Sequence, residues 1–432
     1  MNSAVREINS SEFESEVKNH QGICILDFYS TECPPCEALA PKLDSIAHKF
    51  EGSIKVIKIY RQENRELANS LSVSSSPTLV FFKDGKVQEG TLAGGIKKSE
   101  IINKLHQLSE GKLKEKNVKP MEKINADVII LGGGPAGLTA AIYSAQSKLK
   151  TVLVDIQLPG GQVATTHMIS NFPGTATAMP GYQLAHNMVA QAKEAGVITY
   201  GAADISRVDI INAEKIVEID GEVEVKAPVI MIASGASPRM VGVKGEKEFK
   251  GKGVSYCAIC DGKYYAGKKV AVIGGGNSAV EESHFLTQFA EKVIIVHQFD
   301  HFQANKEAQE KVLKNNKIEV IWQTEPRAIY KNSKENNFSL ELENVNDGSQ
   351  SVLDVDGIFI YVGMKPNTEG LAGNLKMSEN GYIITDEQMQ TSISGVYAIG
   401  DIREKKIRQA ITAAADGCIA AVAAEKYIRN GL

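Results

Sequence analysis

The sequence predicts an α/β chain in three parts: a small domain, then two nucleotide-binding folds, the second inserted in the first. Three observations carry that prediction. A buried-strand pattern, Asp127 to Leu131, runs into Gly132-Gly133-Gly134-Pro135-Ala136-Gly137 and an alanine-rich helix to about Gln146. A second copy starts 142 residues later, where Lys269 to Ile273 leads into Gly274-Gly275-Gly276-Asn277-Ser278-Ala279. Near the C-terminus, Val396-Tyr397-Ala398-Ile399-Gly400-Asp401 reads as a short strand that delivers an acid to a loop, so the chain should return to the first fold after completing the second.

Each glycine loop has a physical reason. Glycines permit the tight turn and the close approach of a pyrophosphate, the following helix presents unpaired N–H groups to the phosphates, and the acid after the next strand, Asp155, could reach a ribose hydroxyl. Two such loops in one chain point to two dinucleotides, commonly a flavin and a nicotinamide. The second unit continues through a helix to about Phe289 and a strand from Lys292 to Val296.

Composition narrows the function classes. A chain of 432 residues should hold two to four domains. A net charge of −4 gives no electrostatic case for nucleic acid or an anionic membrane surface. The first twenty residues, with Glu7, Glu12, Glu14 and Glu16, lack a basic and an apolar secretory region, so the expected compartment is cytoplasmic. No apolar run reaches the roughly 18–20 residues of a spanning helix.

Six cysteines divide into two C-x-x-C pairs, Cys33/Cys36 and Cys257/Cys260, and two isolated residues, Cys24 and Cys418, in apolar contexts. In a cytosolic chain such pairs mean redox work or zinc. Zinc would need four close ligands, yet the pairs lie over 200 residues apart and no histidine follows either at finger spacing. Redox work is the better reading, and no metal site is expected.

The apolar run Ile23 to Tyr29 leads into Ser30-Thr31-Glu32-Cys33-Pro34-Pro35-Cys36 and a helical pattern from Glu37 to Phe50. Cys33 therefore sits at a strand-to-helix junction, where unpaired amides and the helix dipole favour a thiolate. It is the expected attacking thiol, and Cys36, one turn in, the more buried resolving thiol. Asp27 is a lone acid in an apolar strand, which is costly without a use.

These residues resemble thioredoxin over about residues 5 to 108. The resemblance extends to Ser76-Pro77 and the segment to Gly85, where the family has a cis-proline beside its disulfide. It implies that Asp27 is a buried proton shuttle, with Lys58 as its partner. Two departures stand out: Glu32 replaces the tryptophan before the first cysteine, and Pro34-Pro35 replaces Gly-Pro. Ser109 to Asn125, rich in lysine and glutamate, reads as a solvated linker whose extended reach is roughly 55 Å. Such a tether would hold a carrier disulfide at an effective concentration on the order of millimolar.

Residues 125 to 432 resemble low-molecular-weight (class II) thioredoxin reductase, an FAD-dependent pyridine nucleotide-disulfide oxidoreductase. The fold class expected for the whole is thus α/β, a thioredoxin fold followed by two Rossmann-like dinucleotide-binding domains, the second inserted in the first. Its expected parts are 1–108, a linker 109–125, 126–241, the insertion 242–364, and 365–432. The resemblance implies FAD on Gly132, Gly134, Pro135, Ala136 and Gly137, with Gly400-Asp401 on the flavin chain. Gly161, Gln162, Asn171, Arg408, Gln409 and Ala410 are the implied flavin-side contacts. Gly274, Gly276, Asn277 and Ser278 would form the second dinucleotide loop. Cys260 is expected to face the flavin, Cys257 to attack the substrate disulfide, and Asp261 to donate and accept the proton that each exchange step requires. The family's inserted domain rotates between two states, and the expected hinges lie near Gly242–Gly245 and Val362–Pro366.

One motif departs from the family. After its second strand the NADPH-using family places His-Arg-Arg-x-x-x-Arg, whereas here His297-Gln298-Phe299-Asp300-His301-Phe302-Gln303 contains no arginine. A 2′-phosphate carries nearly two negative charges and is usually gripped by guanidinium groups. NADPH is disfavoured; NADH and a non-nicotinamide donor such as ferredoxin stay open. His297 and His301 read as pocket-wall residues rather than metal ligands.

The resulting expectation is a flavin-dependent thioredoxin-disulfide reductase that passes electrons from FAD through Cys257/Cys260 to Cys33/Cys36 and on to an external disulfide protein, in a homodimer. An alternative resembles the flavoprotein of alkyl hydroperoxide reductase, which feeds a peroxiredoxin, although that family's N-terminal part is about twice as long. A redox-sensing binding protein is the rival from another class, and the intact cysteine pairs and Asp261 argue against it.

Overall fold

The structure is a computed structural model that describes residues 5–31, 33–116, 120–166, 168–169, 171–175, 177–332, 337–371 and 375–431. The N-terminal domain is built on a sheet in the order Arg6–Ile8, Ile54–Tyr60, Ile23–Tyr29, Thr78–Lys83, Lys86–Val87, with Leu92–Ala93 also pairing Thr78–Lys83. The first three strands are parallel, and Thr78–Lys83 runs antiparallel to Ile23–Tyr29. Six of the seven residues of Ile23–Tyr29 are buried, because this central strand is covered on both faces. The helix Pro34–Lys49 starts directly after Cys33 with proline at its first position, where a missing N–H costs nothing.

The middle of the chain forms a parallel five-stranded sheet, ordered Ile198–Tyr200, Thr151–Val154, Val128–Leu131, Val229–Ile232 and Val396–Ala398. Val396–Ala398, far along the sequence, lies parallel to Val229–Ile232. Between them the chain builds a second parallel sheet, Val254–Ser255, Gly357–Ile360, Lys269–Ile273, Lys292–Val296 and Ile318–Ile321, and an antiparallel sheet of Thr324–Asn332, Asn337–Asn344 and Gln350–Val355. The two crossings, Ala236–Pro238 and Met364–Pro366, pair with each other as an antiparallel ribbon. Gly242–Gly245 does not lie in that ribbon. Lys244 bridges Ala328, and the backbone N–H groups of Val241 and Gly242 donate to the Glu246 carboxylate, so this segment is bonded into the inserted part.

The segment expected to be a solvated linker is largely bound. Leu113 packs on the N-terminal core, Lys49 pairs with Glu115 at 3.0 Å, and Lys116 N–H donates to Lys49 O. Glu122–Asn125 is a strand, parallel to Val223–Lys226 in a four-stranded sheet. Its one buried side chain is Ile124, too little apolar signal to reveal a strand among charged neighbours. Residues 117–119 lie outside the described residues.

The closest packing is backbone on backbone. A Cβ at Gly137 would stand 1.9 Å from Gly132 O, so the helix Pro135–Gln146 approaches the preceding turn as only glycine permits. Gly137→Ala should cost about 3 kcal/mol. The measurement is the thermal midpoint of the purified variant against that of the wild type.

Candidate active site

A cleft of about 1370 Å³ runs between the C-terminal ends of the first sheet and the inserted domain. Gly132, Gly134, Pro135, Ala136, Asp155, Gly161, Gln162, Asn171, Gly400, Asp401, Arg408, Gln409 and Ala410 all line it. Gly137 stands behind the loop, where it serves the close packing. Gly161 has φ +58°, and a Cβ there would meet Gly134 Cα at 2.8 Å, so two glycine segments form one narrow cradle. Gln162 Nε2 donates to Ala236 O at 2.7 Å, and Asn171 Nδ2 to Gln409 Oε1 at 3.2 Å.

The cleft fits a flavin dinucleotide by what it leaves unsatisfied. Asp401 Oδ1 and Arg408 Nε are buried without a protein partner, one acceptor and one donor. Burial pushes the Asp401 carboxyl above its ordinary pKa, while Lys405 and Arg408 pull the other way. The Arg408 guanidinium lies 4.0 Å from the Tyr382 ring centroid, which fixes its plane. Asp155 is engaged differently from expectation: its carboxylate accepts the N–H groups of Gly133 at 2.6 Å and Gln157 at 2.8 Å. It braces two loops of the cleft, and burial raises its pKa.

The second glycine loop does not line this cleft. Gly274, with φ +130°, packs against Tyr361 O, and Asn277 Oδ1 accepts Asn305 N–H at 2.7 Å. Gly276 meets nothing within 4 Å of an added Cβ, and Ser278 is exposed. Glu281 and His284, on the helix that this loop begins, do face the cleft, with Asn305, Glu307 and Lys311 beside them.

Cys257 is held in a disulfide and precedes the short helix Ala258–Asp261; the Cys260 side chain lies outside the described set. Ser255 organises this corner. Its hydroxyl lies 2.6 Å from Asp261 Oδ2 and 3.2 Å from Cys257 O, and accepts the Cys257 N–H at 3.1 Å. Tyr361 accepts the Ala258 N–H on its phenolic oxygen at 2.8 Å. Neither Ser255 nor Tyr361 was anticipated from the sequence, since a serine two residues before a cysteine and a tyrosine after a strand carry no pattern of their own. Glu282 was also missed. Its Oε2 is buried without a partner, and burial, aided by Glu281, pushes its pKa up to about 7.

In the N-terminal domain Cys33 and Cys36 form a disulfide, and Cys36 N–H points to Cys33 Sγ at 3.2 Å. Both residues are buried, Cys33 at 7 % and Cys36 at 8 % exposure, so Cys36 is not the deeper of the two. Cys33 Sγ lies 3.7 Å from Ser76 O, and the Ser76–Pro77 peptide is cis. Asp27, in the strand Ile23–Tyr29, is buried with Oδ1 unpartnered, and burial raises its pKa to about 7 against the pull of Lys58. Lys58 itself pairs with Glu7 at 3.1 Å.

The arginine-free loop is closed by aromatic packing. His297 is buried, its ring against Gly275 and stacked on Phe302, with Nε2 at 3.1 Å from His301 O. Gln298, Phe299 and Asp300 are exposed, and the Asp300 carboxylate binds His301 Nδ1 at 2.6 Å. Gln303 N–H donates to Gly275 O at 2.8 Å. The segment 297–305 therefore presents a negative charge where the family has a positive one.

Asp27 gives a pH prediction with a definite sign. Its folded pKa lies above the unfolded value, so protonation favours the folded domain, and this stabilisation is fully present below about pH 4. It is lost as pH rises from there to about 7, by roughly 4 kcal/mol at most. The protection factors of the Ile23–Tyr29 amides, each exchange rate being divided into the intrinsic rate at the same pH, should fall across that window in the wild type and stay level in Asp27→Asn.

Comparison with known proteins agrees with this geometry. Residues 126–417 match the pyridine nucleotide-disulphide oxidoreductase family, and residues 4–107 match the thioredoxin family. The chain is 42% identical over 308 residues to a 34.2 kDa protein in the rubredoxin operon of Clostridium pasteurianum, covering 71% of this chain and 98% of that one. It is 41% identical over 305 residues to a thioredoxin reductase of Listeria innocua, covering 70% and 94%. The crystal structure of Lactococcus lactis thioredoxin reductase in its FR conformation superposes with a TM-score of 0.68 at 38% identity, covering 71% and 99%. That of T. acidophilum thioredoxin reductase gives 0.66 at 29% identity, covering 71% and 99%. The chain belongs to the pyridine nucleotide-disulphide oxidoreductase family, as a thioredoxin reductase-like, FAD-dependent disulfide oxidoreductase that also carries a thioredoxin domain.

Proposed function

We propose that this enzyme reduces its own thioredoxin domain, Cys257/Cys260 passing electrons to Cys33/Cys36 and these to the disulfide of an external protein. The observation that carries the reading is the Ser255 cluster, which holds an acid, Asp261, against the backbone of Cys257, the cysteine that must release and receive a proton with each exchange. Bound FAD, once reduced by the external donor, would supply the two electrons that open the Cys257 disulfide. Gly132, Gly134, Gly161, Asp401 and Arg408 would hold it in the cleft.

Cys257 then acts as the attacking thiolate on the Cys33–Cys36 disulfide. One sulfur–sulfur bond forms as the other breaks, and the leaving sulfur takes a proton. Asp27, with a pKa near 7, can hold or give that proton at physiological pH. A peroxiredoxin is one external acceptor consistent with this chemistry. Tyr143, Ile411, Ile419 and Val422 are exposed apolar side chains on the helices Pro135–Gln146 and Ala410–Arg429, and they support a homodimer. The free thiols Cys24 and Cys418 suit a reducing, cytoplasmic setting.

The donor reading follows from Asp300 and from the absence of lysine and arginine between residues 297 and 305. NADH or a ferredoxin-like carrier is favoured over NADPH. In anaerobic titration the flavin should bleach with NADH or with reduced ferredoxin, and NADPH at micromolar concentration should leave it yellow. Bleaching by micromolar NADPH would refute the reading. Installing arginine at Gln298, Phe299 and Gln303 should raise the response to NADPH by at least tenfold, roughly the value of one charge-assisted phosphate contact.

The relay itself is tested by trapping. A Cys36→Ser variant should accumulate a mixed disulfide from Cys33 to its acceptor, visible as a dithiothreitol-sensitive band. In Cys257→Ser, Cys33/Cys36 should stay oxidised while the flavin is reduced. Carrier reduction at the wild-type rate in that variant would exclude the path.

A further inference from the structure

The thioredoxin domain rests on the flavin-binding part of its own chain, through the helix Pro34–Lys49 and the segment Gly94–Ser99. Lys42, at 6 % exposure, donates to the carbonyls of Gly201 at 3.1 Å and Ala202 at 2.5 Å, as well as to Ile96 O. Ala202 holds φ +50°, a conformation that side-chain-bearing residues adopt at a cost. Lys98, at 3 % exposure, pairs with Glu222, which also accepts the Ser45 hydroxyl. Ser99 donates its N–H and its hydroxyl to the Asp204 carboxylate at 2.7 and 2.8 Å.

Lysines buried to this depth are stable only where each charge is met, and here the opposite domain supplies the acceptors. Separation would return both ammonium groups and the Asp204 carboxylate to water, so the contact can be stable and still reversible. The dock closes on the carrier disulfide from two sides. Glu37, next to Cys36, reaches Lys193 at 2.8 Å. Across from it Gly95 packs on Leu158 and Ala202, beside Gly94, whose N–H donates to Pro77 O at 3.2 Å. In this arrangement Cys33 and Cys36 are both buried.

We propose that this interface is a parking dock: the flavin-binding part holds the carrier of the same chain with its disulfide shielded, and the carrier must be released before Cys33/Cys36 can exchange with any thiol. The docked residues Lys193, Gly201, Ala202, Asp204 and Glu222 lie outside the inserted segment that carries Cys257. The functional consequence rests on the relay proposed above. The dock and the shielding do not, and the test uses neither flavin reduction nor donor.

The full oxidised chain is compared with Lys98→Glu, with the charge-swapped pair Lys98→Glu/Glu222→Lys, and with Asp204→Ala, which removes an acceptor without touching the carrier. Two quantities are read. The first is hydrogen exchange at the Ser99 amide, with the Ile23–Tyr29 amides as control for an intact carrier. The second is the rate at which dithiothreitol reduces Cys33–Cys36, one dithiol becoming its cyclic disulfide as two cysteine thiols form, followed by alkylation and peptide mass. Both rates should rise about tenfold or more in Lys98→Glu and in Asp204→Ala, and return toward wild type in the swapped pair. Unchanged Ser99 exchange in either single variant would overturn the dock. Faster exchange with unchanged dithiothreitol reduction would overturn the shielding. Should Lys98→Glu unfold the carrier, Asp204→Ala decides alone.

Discussion

Everything around the flavin cleft depends on backbones that touch. The helix Pro135–Gln146 is wedged between the turn at Gly132 and the helix Ala410–Arg429, and at both contacts a glycine makes the approach possible. A Cβ on Gly137 would stand 1.9 Å from Gly132 O, and one on Gly417 would stand 2.2 Å from Ala136 O. The C-terminal helix is rich in alanine for the same reason. Once it is seated, its Asp416 carboxylate accepts Gly400 N–H at 3.0 Å and Lys405 at 2.8 Å, which fixes the loop that offers Asp401 to the cleft. A single packing constraint thus sets both the phosphate loop and the acid, from segments more than 250 residues apart in the chain.

The inserted domain repeats the glycine loop but couples it to something else. Tyr361 presses its carbonyl on Gly274 and offers its hydroxyl oxygen to Ala258 N–H. The second loop and the redox helix therefore share one residue. Burial raises the Tyr361 phenol well above its ordinary pKa, so it stays neutral and its oxygen remains a steady acceptor. The Gly274 turn and the helix that follows Cys257 are thus both in contact with Tyr361.

The parts of this site that were legible in the sequence are those with periodicity or fixed spacing. The glycine loops, both cysteine pairs, Asp27 and Asp401 announce themselves, because turns and dinucleotide phosphates demand those residues at those intervals. Thirteen of the fourteen residues expected on the flavin side line one cleft, although they come from six stretches of chain. What was not legible is contact between distant polar residues. Ser255, Tyr361 and Glu282 are ordinary in sequence and become special only when the second sheet brings Val254–Ser255 beside Gly357–Ile360. The strand Glu122–Asn125 was hidden by its charges, since pairing with Val223–Lys226 satisfies its backbone and only Ile124 needs burial.

That strand shortens the connection between the two parts of the chain. A free seventeen-residue tether would let the carrier search a sphere tens of ångströms wide. Here Lys116 is bonded to the carrier and Glu122 to the flavin-binding part, and the six residue steps between them reach about 20 Å at most. The effective concentration of the carrier at its dock is correspondingly high, and its excursion is limited unless the strap at 109–116 or the strand at 122–125 peels away. The apolar part of that hold is small, because the strand buries one isoleucine and the strap half-buries one leucine, so backbone pairing and the Lys49–Glu115 ion pair carry the rest. A carrier on so short a leash stays close to the flavin-binding part of its own chain for as long as both ends are bonded, which a longer free linker would not ensure.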